Sequence, residues 1–233
     1  MKNLKNLLPA IIIAIGISAL GWFIKAGLTG FTDSSRVVTV KGLSEREVKA
    51  DKVIWPISFV EIGDDLGSLY STIESKNSMI ISRLKSKGIS DGEITSRIDV
   101  EDMKANAYSN NVTTRYKASS VITVNTRNVD TVLGLMQEQS SLIEKGIAIS
   151  LNRYENPVQF EFTGLNNIKP EMIKDATQNA RKAAQQFATD SESELGKIRS
   201  ATQGQFTIED RDQNTPYIKN VRVVTTIVYS LED

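Results

Sequence analysis

One stretch limits the fold more than any other. Asn167 to Asp190 carries Ile173, Ala176, Ala180, Ala183, Ala184 and Phe187 at steps of three and four residues, which puts them on one face of a helix. Most of that face is alanine. Side chains this small bring a helix axis close to whatever it covers. The flanking segments alternate as strands do, so the covered layer reads as a sheet. Pro170 and Glu171 suit a first turn, where a missing N–H costs nothing and a carboxylate meets the positive end of the helix dipole. Lys174, Asp175, Gln178, Lys182 and Gln185 form the opposite, wetted face.

The order around this helix repeats. Arg36 to Lys41 reads as a strand, Gly42 to Arg46 as a turn, and Val48 to Ile62 as a second strand, carrying a Pro56 that suits an edge or a bulge. A helix follows, capped at Asp64, with Leu66, Leu69, Ile73, Ile80 and Leu84 inward and its end at Gly88. Asn77 falls inside that apolar stripe and reads as a local buried hydrogen bond or a packing compromise rather than a site. A strand from Ile94, a polar loop with a tip at Asn110-Asn111, and a strand over Arg115 to Arg127 complete the first run. After a short helix capped by Asn128, Ile147 to Phe162 alternates as a hairpin about Asn156-Pro157. The alanine-faced helix, a strand through Leu195 and Ile198, a charged loop over Glu209 to Pro216 and a strand over Asn220 to Leu231 complete the second. A period near one hundred residues indicates duplication, with pseudo-repeats at about 36–127 and 128–233. The fold class is α+β: a duplicated unit of antiparallel β-hairpins with long helices packed on the sheets.

Ahead of the body, Leu7 to Ile24 runs without a charge behind Lys2 and Lys5. As a helix it is about 27 Å long, close to a bilayer core. Trp22 and Phe23 sit where an interfacial aromatic belt falls. The expectation is residues 1–6 on the cytoplasmic side, 7–28 as a transmembrane anchor or signal sequence, 29–35 as a linker, and the body outside the cytoplasm. Ala19-Leu20-Gly21 offers a weak cleavage site, and length favours an uncleaved, single-pass anchor.

Chemistry is limited by two absences: the chain has no cysteine and no histidine. That removes thiolate catalysis, zinc–sulfur sites and the commonest general base and metal ligand. The 28 basic and 28 acidic residues cancel, so no net field draws the chain to nucleic acid. Asp99 and Glu101 share a strand face, the pattern of an acid–base pair, but no partner converges on them in sequence. Glu209, Asp210 and Asp212 could offer oxygens to calcium, yet lack the spaced calcium-loop pattern. The expectation is no catalytic residue, no cofactor and no metal.

Several runs together resemble one family. Val37-Val38-Thr39-Val40-Lys41-Gly42, followed by Val48-Lys49-Ala50-Asp51-Lys52-Val53, is similar to the opening of the SIMPL domain, in which a strand ending in Gly leads through a Pro/Ala-Asp step into a long strand. Leu84 to Ile89 with Glu93-Ile94, Tyr116 to Ser119, Val121 to Val124, Pro170 to Ala188 and Leu195 to Ile198 continue the likeness, over Val37 to Leu231 in all. The family usually passes from the short helix through a small-residue turn into one strand, whereas Ile147 to Phe162 here reads as a full hairpin. The resemblance implies a bacterial cell-envelope protein, exported or anchored in the inner membrane with its bulk in the periplasm. Members are associated with envelope or oxidative stress and some assemble into rings; no catalytic residue carries over.

The expected function is therefore non-enzymatic: self-association as a homo-oligomer, or binding of partners the sequence does not name. The alternative is a small-molecule or envelope-polymer binder with a groove between the two repeats. Trp55, Tyr108 and Tyr116 are the candidate ligand or interface residues.

Overall fold

The computed structural model describes residues 13–25, 36–105, 113–138, 140–144, 146–150 and 156–232. The order is helix α1 over 13–25, strands β1 (Val37–Lys49) and β2 (Lys52–Gly63), helix α2 (Leu66–Ser86), and strands β3 (Ile94–Asp102) and β4 (Tyr116–Thr126). Helices α3 (Val129–Gln137) and α4 (Ser140–Ile143), strands β5 (Ile149–Ser150) and β6 (Gln159–Glu161), helix α5 (Leu165–Asp190), and strands β7 (Glu194–Gln203), β8 (Thr207–Asp210) and β9 (Ile218–Glu232) follow. The class is α+β with antiparallel sheets. The expected linker over 29–35, the loop tip at Asn110-Asn111 and the segment 1–12 lie outside the described residues.

The side chains of α1 are exposed along its length, Ile13, Leu20, Trp22 and Phe23 among them. Its thirteen described residues span about 20 Å. Among the described residues no helix is long and apolar enough to cross a membrane.

The chain divides into two compact bodies. One takes the described residues up to Arg46, then Ile168–Thr207 and those from Arg222; the other takes Glu47–Asn167 and Ile208–Val221. In the first, β9 lies between β1 and β7, and β8 also pairs with β9. Helix α5 supplies the cover through Met172, Ala176, Ala180, Ala184 and Ala188. This stripe advances by four residues at each step, so Phe187, expected inward, is 58% exposed. The helix begins at Leu165, so Pro170 lies in its second turn rather than its first. It leaves the Asn166 carbonyl without its usual donor.

Gly42 was expected at a turn; it is the middle of one uninterrupted strand. Its buried neighbours on the same face are Val40 and Ser44. A Cβ added at Gly42 would strike the Ala176 carbonyl oxygen and lie 2.8 Å from Ala180 Cβ. The glycine is there because α5 rests directly on the strand, the close backbone approach that a strand glycine permits.

The second body holds the five-stranded sheet, in the order β3-β4-β2-β5 with β6 also on β2. Helix α2 covers it. Asp65, not Asp64, is the N-cap and accepts the Ser68 N–H at 2.8 Å. Leu69, Ile73, Ile80 and Leu84 are buried against Trp55, Ile57, Phe59, Ile122 and Val124, while Leu66 stays exposed. Buried Asn77 accepts the Ser120 hydroxyl at 2.7 Å, the first of the two readings its position in the stripe allowed. Gly88 ends the helical run at φ +91°, a conformation side chains rarely adopt.

Two expected hairpins do not form. Strands β1 and β2 are consecutive in the chain but belong to different sheets, and their junction is Ala50-Asp51. The segments β5 and β6 do not pair with each other; both lie antiparallel on β2, at Ser58–Phe59 and at Lys52–Ile54. Pro56 sits in the gap between them. The Met103 N–H to Arg115 carbonyl bond of 2.8 Å sets the alternation across β3 and β4. Carried through the β2–β4 register, that alternation aims Pro56's missing donor away from β4. Strand β2 is thus interior, yet its proline loses no ladder bond to a described strand.

Replacing Gly42 by Ala is expected to destabilise the protein by about 3 kcal/mol, the upper range for overpacking. Gly134 in α3 has open space around it, and its replacement by Ala should be neutral or stabilising by about 0.5–1 kcal/mol. Urea unfolding followed by circular dichroism measures both, and a Gly42→Ala protein as stable as the parent would contradict this packing.

Candidate functional site

Of the three aromatic candidates, Trp55 is 3% exposed and part of the core beneath α2, where it lines no surface. Tyr116 is half-buried at the start of β4, with the Arg115 guanidinium 4.9 Å above its ring. Tyr108 lies outside the described residues. Trp55 and Tyr116 share only the core cluster beneath α2, Trp55 within it and Tyr116 packed against it.

The carboxylates are engaged by cations and amides of the protein itself. Asp99 pairs with Arg97 at 2.9 Å on an exposed face, and Glu101 stands opposite Lys117 in the register. Asp102 accepts Arg115 at 3.0–3.1 Å and the backbone N–H groups of Lys104 and Ala105. The Arg115 bond holds its carboxyl below the usual carboxylate value. Asp210 is paired with Lys219, which is itself buried. Asp212 accepts the Thr215 hydroxyl, the Arg211 guanidinium at 3.1 Å, and the Asn214 and Thr215 N–H groups at 2.8 Å. Among the described residues no acidic cluster could hold a metal ion.

What the sheet does bring together lies on the face of β2, β3 and β4 turned away from α2. Register places Ile54, Pro56, Val60 and Ile62 in one column on β2, Asn125, Thr123, Val121, Ser119 and Lys117 in the next, and Thr95, Arg97, Asp99 and Glu101 in the outermost, on β3. The face grades from apolar to charged. A shallow depression of about 310 Å³ opens on it, lined by Thr95, Ser96, Arg97, Val121, Thr123 and Asn156.

Strand β3 ends this sheet. Odd residues from Thr95 to Glu101 bond to β4, so the N–H and C=O groups of Ser96, Ile98 and Val100 point outward. Both ends of the strand are clamped. Before it, Glu93 accepts the Ser90 N–H at 2.9 Å and the Ser90 and Thr126 hydroxyls at 2.7 and 2.6 Å. The Thr126 bond leads the depression of its pKa. After it comes the Asp102–Arg115 pair. Nine residues are thus held straight, with one edge of the backbone unpaired among the described strands. That edge is the candidate functional site.

Sequence reading noticed Asp99 and Glu101 on one face but stopped at the acids. The signal it passed over is the alternation Thr95, Arg97, Asp99, Glu101, in which a cation stands two residues from an anion on the same face.

The SIMPL family model, described as a protein of unknown function (DUF541), matches residues 38–226. No curated protein matches the chain.

The Asp212 carboxyl is held down to about 2, first by the Thr215 hydroxyl and then by Arg211. A folded value below the ordinary 3.8 means that the stabilisation is complete above that pH and is lost as pH falls through about 2. NMR titration of the Thr215 amide should therefore report a carboxyl transition near 2 that Asp212→Asn abolishes. A transition near 4 would contradict the network.

Proposed function

The chain belongs to the SIMPL family, and from that membership we propose that it acts without catalysis, as an envelope-located module that associates with itself or with a protein partner through exposed sheet edges. The observation that carries the reading is the regular outer edge of β3, whose backbone donors and acceptors meet no described strand. Such an edge is a template for another strand. Supporting the non-catalytic reading, the chain contains no histidine or cysteine, and Asp99, Asp102, Asp210 and Asp212 are each tied to a cation of the protein.

Attachment to the inner membrane, with the body in the periplasm, is part of the same reading. It is supported by the uncharged run Leu7 to Ile24 behind two lysines and by the exposed apolar side chains of α1. A role in envelope stress rests on the family resemblance. We also infer that the two bodies descend from one duplicated unit. In each, a long helix is followed by an antiparallel pair, β3 with β4 and β7 with β9, and the last strand takes a further strand on its other side, β2 and β1 respectively.

Membrane and soluble fractions of cells making the protein, analysed by intact mass, test location. The uncut chain in the membrane fraction is expected. A shortened chain in the periplasmic extract would replace the anchor by a cleaved leader, and an uncut chain in the cytosol would contradict the location outright.

A further inference from the structure

The sheets present several edges, and they are not alike. Along β1 the groups of the odd residues point outward, because Leu231 N–H bonds to the Arg36 carbonyl at 3.0 Å. That edge is guarded: Asn179 of α5 donates to the outward carbonyl of Leu43 at 2.9 Å, and Arg46 ties the same strand to Glu171 at 2.8 Å. Strand β7 is polar and breaks register between Leu195 and Ile198 and again before Ser200, the kind of irregularity that blunts an edge. The far edge of β2 is occupied by β5 and β6, with Pro56 between them. Among the described strands, β3 is long, in unbroken register with β4 and unguarded.

We propose that β3 pairs antiparallel with β3 of a second copy of this chain, about a two-fold axis at Ile98; this rests on the self-association reading above and gives it a place and a register. The outward groups of Ile98 then bond to those of Ile98 in the second copy, and Ser96 to Val100, all residues whose outward backbone groups meet no partner among the described residues. On the charged face the same register sets Arg97 against Asp99 and Asp99 against Arg97, at positions where an antiparallel pair brings side chains closest. The exposed Arg97–Asp99 pair within one chain becomes a four-membered alternating cluster. On the opposite face Val100, 46% exposed in one copy, gains cover from its neighbours, and half-buried Ile98 packs on itself.

Charge selects this register over its neighbours. Centring on Arg97 or on Asp99 sets a charge against its own copy. Centring on Val100 sets Asp99 against Glu101, and centring on Ser96 sets Asp99 against Glu93. Only Ile98 at the centre leaves no like pair and makes two opposite ones, so the strand is complementary to itself.

The full chain, purified in mild detergent, provides the test. It contains no cysteine, so introduced thiols report without background. With Thr95→Cys and Glu101→Cys together, mild oxidation should give a disulfide-linked dimer, because residue 95 of one copy faces residue 101 of the other. Either change alone should give none, since like positions are about 20 Å apart in this register. Arg97→Asp and Asp99→Arg should each weaken dimerisation about tenfold or more by analytical ultracentrifugation. Mixing these two variants, or combining both changes in one chain, should restore it. Self-association without the double-cysteine link, or indifferent to the charge reversals, would overturn this edge while leaving association elsewhere intact. A strict monomer at every concentration would overturn both.

Discussion

Every sheet described in this protein is open, and the hydrogen-bonding groups along an open edge must be answered by something. That requirement organises the rest. Several of the features described above bear on an edge. Pro56 faces away from β4, between the segments of β2 that β5 and β6 occupy. Register shifts roughen β7. The backbone of β3 is held at both ends, by Glu93 before it and by Asp102 with Arg115 after it. Rigidity at an unpaired edge lowers the entropy lost when a second strand arrives.

The guard on β1 depends on the closeness of α5. A helix faced with leucine would stand farther off. The alanines at 176, 180, 184 and 188, each buried, together with Gly42 beneath them, bring the helix axis down until Asn179 reaches the Leu43 carbonyl. Sequence composition at five positions is in this way converted into the chemical character of the edge that the helix rests beside. Little apolar area is gained by burying alanine, so what holds the helix includes the ion pairs of Arg46 with Glu171 and Asp175, exposed contacts of modest worth.

Much of this was legible beforehand, for a physical reason. The α2 stripe Leu69, Ile73, Asn77, Ile80 and Leu84 is periodic, and periodicity survives without knowledge of partners; the stripe placed Asn77 inside, and Ser120 opposite it decided for a hydrogen bond over a packing compromise. Pairing is another matter. Adjacent strands usually pair, so Val37 to Ile62 reads as a hairpin, yet β1 goes to β9 and β2 to β4 because each buries its face under a different helix. Gly42 reads as a turn because glycine marks turns and close approaches equally, and only the opposing helix distinguishes them. Phe187 reads as inward because it lies three residues past Ala184; the buried stripe steps by four throughout, which turns it outward. The aromatic candidates were chosen for chemistry a ring can do, and Trp55 proved to be filling a core. The β3 edge carried its signal in alternating charge, which has meaning only once a strand is known to lack a neighbour.

The central claim is that the outward backbone groups of β3, rather than those of β1, take up a second copy. Hydrogen exchange of the full chain, read amide by amide across a range of protein concentrations, addresses it most directly. Protection of Ser96, Ile98 and Val100 should be low in dilute solution and rise steeply with concentration, while the odd residues of β1 stay unchanged. Protection of those three amides that is independent of concentration, or a rise confined to β1, would contradict the account.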